Sequence, residues 1–466
     1  MLFAYTYKLN PSPKQAQTIE RWLNLLRLQY NFRVRERTQA YEQARFPHMG
    51  NYCIIETQAE CCPLTCSVSK AALYGNPWTL KGRKRTPLAQ QDANLVDLKQ
   101  ERPWYKEIYH HVLQQMLKQV DTAFGRFFKK LGKYPKTKRR GKFRSFTYPP
   151  GDVAFKGNKI RLPGIGWMSF FQSRPFPNGF KLRSITVRKK ADGFYISVRL
   201  QDDSVPDVPV ANQVKTAVGV DFGIKKLISL STGETCANPR FNKRMERKRT
   251  RLNRSASRKV RGSKRRKKAY QRLAKLEQKV VNQREDYQWK IANKLVNKFD
   301  LIVFENLNIQ AMSARCKPKQ DESGKYLANG QSAKSGLNKA IADAAWGSLK
   351  QKVKILSEKA GVLVHEVKPH FSSQECSQCG YISPTNRNGE KFICEECAHY
   401  DDADIDAAKV ILRRGLDALG ICLNAVSGVP RKQGKSTPKE PVTTGEIIGG
   451  MRVSLGTLSN SGNRVV

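Results

Sequence analysis

Two carboxylates end apolar strands, where a carboxylate is costly unless something compensates it, and a third opens a helix. Asp221 ends the apolar run Ala217-Val218-Gly219-Val220, and Glu305 ends Leu301-Ile302-Val303-Phe304. Asp404 lies in Asp401-Asp402-Ala403-Asp404-Ile405-Asp406, which opens a helical run through Leu412. A carboxylate at the end of a buried strand is expensive without a partner. A metal ion is the usual compensator where further carboxylates arrive nearby. Simpler roles exist: Asp221 could cap a turn, and acidic residues at a helix N-terminus favour the macrodipole. Four carboxylates in six residues exceed what capping needs, and in a chain of formal charge +46 they stand out as cation ligands. Hard oxygen atoms suit Mg2+ or Mn2+. Two such ions close together would activate water and stabilise the leaving oxygen of a phosphodiester. Spacing alone does not bring the three together in space.

A second constellation is stronger by itself. Cys376-x-x-Cys379 and Cys394-x-x-Cys397 are separated by fourteen residues. Each pair can grip one ion from a tight turn, so four thiolates around tetrahedral Zn2+ are expected. A closed site of four thiolates leaves no open position, which makes this zinc structural rather than catalytic. Cys53, Cys61, Cys62 and Cys66 show no regular metal spacing and are read as reduced thiols, with a metal site as the lesser alternative.

The charge says what surrounds these sites. The 466 residues, enough for two to four domains, carry 85 Lys and Arg against 39 Asp and Glu. Such a chain repels itself unless a polyanion neutralises it. Nucleic acid is the natural partner, held by salt-dependent phosphate contacts; an anionic membrane surface is the alternative. No apolar run of about 18 residues could span a bilayer. The N-terminus lacks the pattern of a signal peptide. A cytoplasmic, nucleoid-associated protein is expected, and its oligomeric state is not legible.

The elements that must position these residues follow in order. Residues 2–9 alternate as a strand. Ser12 and Gln15 resemble a capping box with Pro13 at the first helical position. Ile19, Leu23, Leu26 and Tyr30 then define a helix over about 13–44. Its other face carries Arg21, Arg27, Arg33, Arg35 and Arg37, either solvated or set against phosphates. Residues 46–103 look irregular, and a helical run follows from Trp104 to Leu131. Phe143, Phe146 and Tyr148 interleave with the basic cluster Lys138-Arg139-Arg140-Gly141-Lys142, a composition suited to stacking on bases. Residues 153–201 predict a small barrel or curled sheet, with a hairpin at Ala191-Asp192-Gly193. Residues 202–214 predict a linker. Residues 243–279 hold 18 Lys or Arg in 37 positions. Such a run usually stays solvated or disordered; its first half is expected to order on a polyanion, and its second to be an amphipathic helix ending near Lys298. Residues 313–336 predict a mobile loop, 338–360 a helix, 362–367 a strand, and 424–466 a disordered basic tail.

Taken as an ordered set, these pieces resemble the transposon-encoded OrfB/TnpB proteins, relatives of the type V CRISPR effector nucleases. The resemblance rests on Gly219-Val220-Asp221-Phe222-Gly223, Val303-Phe304-Glu305-Asn306-Leu307, the four cysteines, and Asp402-Ala403-Asp404-Ile405-Asp406-Ala407-Ala408. Pro11 to Gln15, Gly336 to Lys339 with Asp343 and Trp346, and Ser372 to Gly380 add to it, over residues 1–414.

The resemblance implies a mixed α/β and α+β multidomain chain. An RNase H-like, RuvC-type nuclease domain would span 215–371 and close with an acidic helix at 401–423. The zinc ribbon at 372–400 would interrupt it. A helical recognition part and a small β-barrel would fill 1–214, and the tail 424–466 would follow. It further implies a metal-dependent DNA endonuclease with Asp221, Glu305 and Asp404 as the metal-binding catalytic triad. A guide RNA from the transposon end would pair with double-stranded target DNA, and protein contacts would read a short adjacent element. Asp406 departs from the family, which usually has Asn there. A nucleic-acid-binding protein without nuclease activity, or a strand-transfer transposase, are the alternatives.

Overall fold

The computed structural model describes residues 2–45, 86–176, 179–201 and 214–422. Cys53, Cys61, Cys62, Cys66, most of the expected linker and the C-terminal tail lie outside the described residues. The chain divides into two compact units at residues 203/204.

In the first unit, β1 (Leu2–Asn10) leads into α1 (Pro13–Arg45). The capping box forms: the Ser12 amide donates to Gln15 Oε1 at 3.0 Å, and the Gln15 amide donates to Ser12 Oγ at 3.3 Å. Two short helices follow, α2 (Pro87–Ala93) and α3 (Leu95–Glu101), within a segment expected to be irregular. Pro103 then starts a separate 3-10 turn, so α4 begins only at His110 and runs to Phe128. The β-region comprises β2 (Ser145–Tyr148), β3 (Ala154–Lys156), β4 (Lys159–Leu162), β5 (Gly166–Phe171), β6 (Lys181–Lys190) and β7 (Gly193–Gln201). With β1 they form one antiparallel sheet of order β2-β6-β7-β1-β5-β4-β3, whose edge strands are not paired with each other.

Two expectations about this unit change. Phe143, Phe146 and Tyr148 are buried in its core and are not a stacking surface. They alternate with basic residues because the segment enters a half-buried strand. Arg33 and Arg37 are buried as well. Arg37 donates to Gln91 Oε1 at 2.9 Å and to Asp121 Oδ1 at 2.8 Å, tying α1 to α2 and α4. Buried guanidinium groups need such partners.

The second unit is built on a five-stranded sheet of β8 (Ala217–Phe222), β9 (Lys226–Leu230), β10 (Thr235–Ala237), β11 (Leu301–Glu305) and β14 (Leu363–Val367), in the order β10-β9-β8-β11-β14. β8, β11 and β14 run parallel, and β9 pairs antiparallel with both β8 and β10. Between β10 and β11 lie α5 (Phe241–Arg244), α6 (Glu246–Ser257) and α7 (Lys264–Lys298). The basic run is therefore helical in both halves. Lys and Arg are good helix formers, Ser263 caps α7 through the Arg266 amide at 3.1 Å, and α6 buries Ala256.

After β11 come α8 (Ile309–Met312) and a hairpin of β12 (Lys319–Gln320) and β13 (Tyr326–Leu327), inside the expected loop. The expected single helix is two, α9 (Gln331–Ala344) and α10 (Trp346–Ala360). Ala345 breaks it in the left-handed region (φ 52°). Gln288 Nε2 donates to the freed carbonyls of Ala344 and Ala345, at 3.3 and 3.2 Å. A three-stranded ribbon of β15 (Arg387–Asn388), β16 (Lys391–Ile393) and β17 (Tyr400–Asp402) precedes α11 (Ala403–Leu419). Among the described residues, no helix is long and apolar enough to cross a membrane.

Candidate active site

The sheet places two of the three carboxylates side by side. β8 and β11 are parallel neighbours, with Phe304 opposite Val220, and Asp221 and Glu305 are the next residue on each strand. Phe222 and Phe304 stack beside them at 5.4 Å between ring centroids. The third carboxylate arrives on α11, which lies directly on the sheet because two positions carry no side chain. A Cβ on Gly219 would come 2.0 Å from the Ala408 carbonyl oxygen, and one on Gly415 would come 2.6 Å from the Val303 methyls. Only glycine permits that approach on both sides, and it brings the first turn of α11 to the end of β8.

The electrostatics register the convergence. Burial pushes the Asp221 carboxyl up to about 7, and the charges of Glu305 and Asp404 push in the same direction. The Arg387 guanidinium and the Phe222 amide oppose them. Burial also raises Glu305, against the Ser372 hydroxyl, which donates to Glu305 Oε1, and the charge of Arg414. Asp404 accepts from Arg387 Nη2 at 2.8 Å. Asp221 thus feels the charge of both other carboxylates, and the three offer the hard oxygen atoms that could hold a divalent cation. Arg387 was not anticipated from sequence, and Ser372 figured only as the start of the motif leading into the cysteines; neither role at the carboxylates was legible.

The acidic run divides its tasks. Asp402 is the N-cap of α11, accepting from the amides of Asp404 and Ile405, so capping explains one of the four. Asp401 pairs with Lys409 Nζ at 2.6 Å. Asp406 is fully buried and accepts the Ser377 amide at 3.3 Å. Asp404 alone faces Asp221 and Arg387.

The four cysteines converge as their spacing predicts. Cys376 Sγ lies 3.7 Å from Cys397 Sγ, and Cys379 Sγ lies 3.5 Å from Cys394 Sγ. All four sulfurs fall within 4.8 Å of one another. Sulfurs about 3.8 Å apart are what a tetrahedral ion with bonds of about 2.3 Å requires, so the cluster fits zinc. Cys376, Cys394, Phe392 and Ala403 form a small core around it. The knuckle is clamped to α11 by Glu375, which pairs with both Arg413 and Arg414, while Arg413 Nη1 donates to the carbonyls of Cys376 and Ser377. The ribbon therefore reaches both Asp404, through Arg387, and Glu305, through Ser372.

Several known proteins are similar to this chain. A family model described as "Probable transposase" (OrfB) matches residues 195–315. A "Cas12f1-like, TNB domain" model matches residues 346–411, and a helix-turn-helix model of the OrfB family matches residues 1–45. Residues 1–45 hold a strand and one long helix here. The chain is 30% identical to the "Putative RNA-guided DNA endonuclease InsQ" of Escherichia coli (strain K12), over 76% of this chain and 86% of that protein. A Streptomyces pristinaespiralis protein with the same description, without the InsQ name, is 28% identical over 94% of this chain and 95% of its own length. Among solved structures, a Cas12f1–sgRNA–target DNA complex aligns over 88% of this chain and 98% of that one, with a TM-score of 0.42 and 12% identity. With an OrfB model on its central strands and a 30% identical relative matched over most of its length, the chain belongs to the OrfB/TnpB family.

Proposed function

We propose that this protein is a transposon-associated, RNA-guided DNA endonuclease that hydrolyses phosphodiesters with Asp221, Glu305 and Asp404 as its catalytic metal ligands. The observation that carries the proposal is the convergence on Asp221. Residues 221, 305 and 404 come from separate segments, and Glu305 and Asp404 both raise the Asp221 carboxyl through their charge. The names of the E. coli and S. pristinaespiralis relatives support the reading, as does a formal charge of +46. In our reading the sheet order β10-β9-β8-β11-β14 is that of an RNase H-like, RuvC-type core, formed by 215–371 and 401–423. The ribbon at 372–400 carries one structural Zn2+, and residues 1–214 serve nucleic-acid recognition.

Asp221, Glu305 and Asp404 would hold Mg2+ or Mn2+, which activates water and stabilises a leaving phosphate oxygen. The chain's own residues prepare that place. The paired strands fix two carboxylates in register, and Gly219 lets α11 deliver the third. Arg387 orients Asp404, and the Ser372 hydroxyl orients Glu305. Burial of Glu305 keeps bulk water from screening the charges. The Lys and Arg of α6 and α7 supply a phosphate-binding surface, while guide pairing would carry sequence specificity.

The test is to express the protein with its flanking DNA and sequence the RNA that co-purifies. A discrete RNA from the element's end, with guided cleavage that Asp221→Ala abolishes while RNA binding persists, is expected. Heterogeneous RNA stripped by about 1 M salt, or full cleavage by the variant, would refute the proposal.

A further inference from the structure

Asp406 has an unusual position. It is fully buried on α11, two residues beyond Asp404. Its Oδ1 accepts the Ser377 amide, so it faces the first cysteine knuckle, and its Oδ2 has no hydrogen-bond partner among the described residues. His399 follows the second knuckle. Its Nε2 lies 3.3 Å from Asp406 Oδ1 and 4.0 Å from Asp401 Oδ2, yet this nitrogen too makes no hydrogen bond. One ligand atom from each of His399, Asp401 and Asp406 falls within 4.8 Å of the others.

Three physical points narrow what this arrangement can be. First, the charges do not balance. Asp401 has Lys409 Nζ at 2.6 Å, whereas among the described residues Asp406 has only His399, and no lysine or arginine, as an ion-pair partner. A buried carboxylate without a compensating cation is costly. Second, the imidazole does not supply a directed bond. A protonated ring pairing with Asp406 would align its N–H on the oxygen, and at 3.3 Å it is not so aligned. Third, the spacing suits a shared ion. Around a tetrahedral cation with bonds of about 2.0–2.1 Å, ligand atoms lie about 3.3 Å apart. The His399–Asp406 separation matches, and Asp401 Oδ2, which Lys409 also contacts, lies 4.0 Å from His399 Nε2.

We propose that His399, Asp401 and Asp406 form a second divalent-cation site, taking Zn2+ through one imidazole and two carboxylates, distinct from the four-thiolate cluster and from the Asp221 site. Imidazole nitrogen with carboxylate oxygen is a borderline donor set suited to zinc. An ion there bonds the segment after the second knuckle to the first turns of α11. It fastens the helix that carries Asp404 at a point the thiolates do not reach.

The test is zinc content of the full-length chain. A background of Asp221→Asn with Glu305→Gln keeps the acidic site from taking an extra ion. In that background two zinc ions per chain are expected, and one in Asp406→Asn or His399→Gln, with affinity for the second ion at least about 10-fold weaker. Cobalt substitution separates the sites. The thiolate-to-cobalt charge-transfer bands should be equal in all variants, and the additional ligand-field absorption should vanish in Asp406→Asn and His399→Gln. Retained thiolate bands also report that each variant is folded; if one variant loses them, the other decides. A single zinc in every protein, or a second zinc unaffected by both substitutions, overturns the proposal.

Discussion

Arg387 Nη2 donates to Asp404 Oδ1 at 2.8 Å, so a residue of the ribbon holds a carboxylate of the candidate active site. The guanidinium fixes the side chain of Asp404 and offsets some of the repulsion among the three carboxylates. Arg387→Ala should lower single-turnover cleavage by about 10- to 100-fold at saturating Mg2+, since small misplacements of reacting groups have costs of that order. Arg387→Lys should recover only part of it, because a point charge does not reproduce a planar fork. Equal rates for all three proteins would exclude this role.

Gly219→Ala tests the seat of α11. The added methyl would stand 2.0 Å from the Ala408 oxygen and 2.7 Å from the Leu412 nitrogen, both backbone atoms that cannot swing away. A loss of about 1–3 kcal/mol or more is expected in urea unfolding, with a larger loss of cleavage because Asp404 moves with the helix. Gly125→Ala on α4, where nothing lies within 4 Å, should instead stabilise by up to about 1 kcal/mol.

The raised Asp221 carboxyl makes a signed prediction about pH. Its folded value is about 7 against an ordinary 3.8. Between these values the folded chain holds a proton that the unfolded chain has released. Its contribution to stability is therefore full at low pH and is lost as pH rises through about 7. In protein washed free of Mg2+ and Mn2+, Asp221→Asn should be more stable than wild type at pH 8, by on the order of 2–4 kcal/mol, and nearly equal at pH 4. Denaturant titrations at the two pH values decide; a gap that is the same at both would disprove the assignment.

The ribbon predicts a loss of cleavage without any change to the triad. Cys376→Ser with Cys379→Ser should release at least the thiolate-bound zinc and unfold the ribbon. Arg387 and Ser372 then leave Asp404 and Glu305. Zinc analysis, calorimetry and a cleavage assay should show the three losses together. Unchanged zinc content would refute the thiolate site.

Ala398 offers a gentler probe of the same element. It follows Cys397 with φ 57°, as Gly380 follows Cys379 with φ 81°. Ala398→Gly removes left-handed strain and should leave melting temperature and zinc affinity equal or higher. A marked fall in either would show that the second knuckle does not need that conformation.

What could be read without coordinates was whatever repeats locally. Asp221 and Glu305 each close an apolar strand, and the cysteines carry their own spacing, so these were visible. Asp404 was one of four similar carboxylates, and only its likeness to a family motif singled it out. Its neighbours have other roles, set by what packs against α11. Arg387 and Ser372 act across a tertiary contact and leave no periodic mark. The first half of the basic run 243–279 forms a helix that its sequence did not announce, because its charge hides a good helix-forming composition, whereas the helix of the second half was legible. The aromatics at 143, 146 and 148 were misread because alternation along a half-buried strand resembles a stacking surface.

The parallel pairing of β8 with β11, and the docking of α11 upon β8, also set an order in time. Asp221 and Glu305 are synthesised well before Asp404, which is 183 residues beyond Asp221 (404 − 221). At about 5–20 residues per second of synthesis, roughly 10–40 seconds separate the first carboxylate from the last. Throughout that interval the growing polypeptide can fold its strands but cannot complete the acidic cluster. A chain that stops before residue 404 is thereby left without the third carboxylate, and the acidic cluster can assemble only once synthesis has passed that residue.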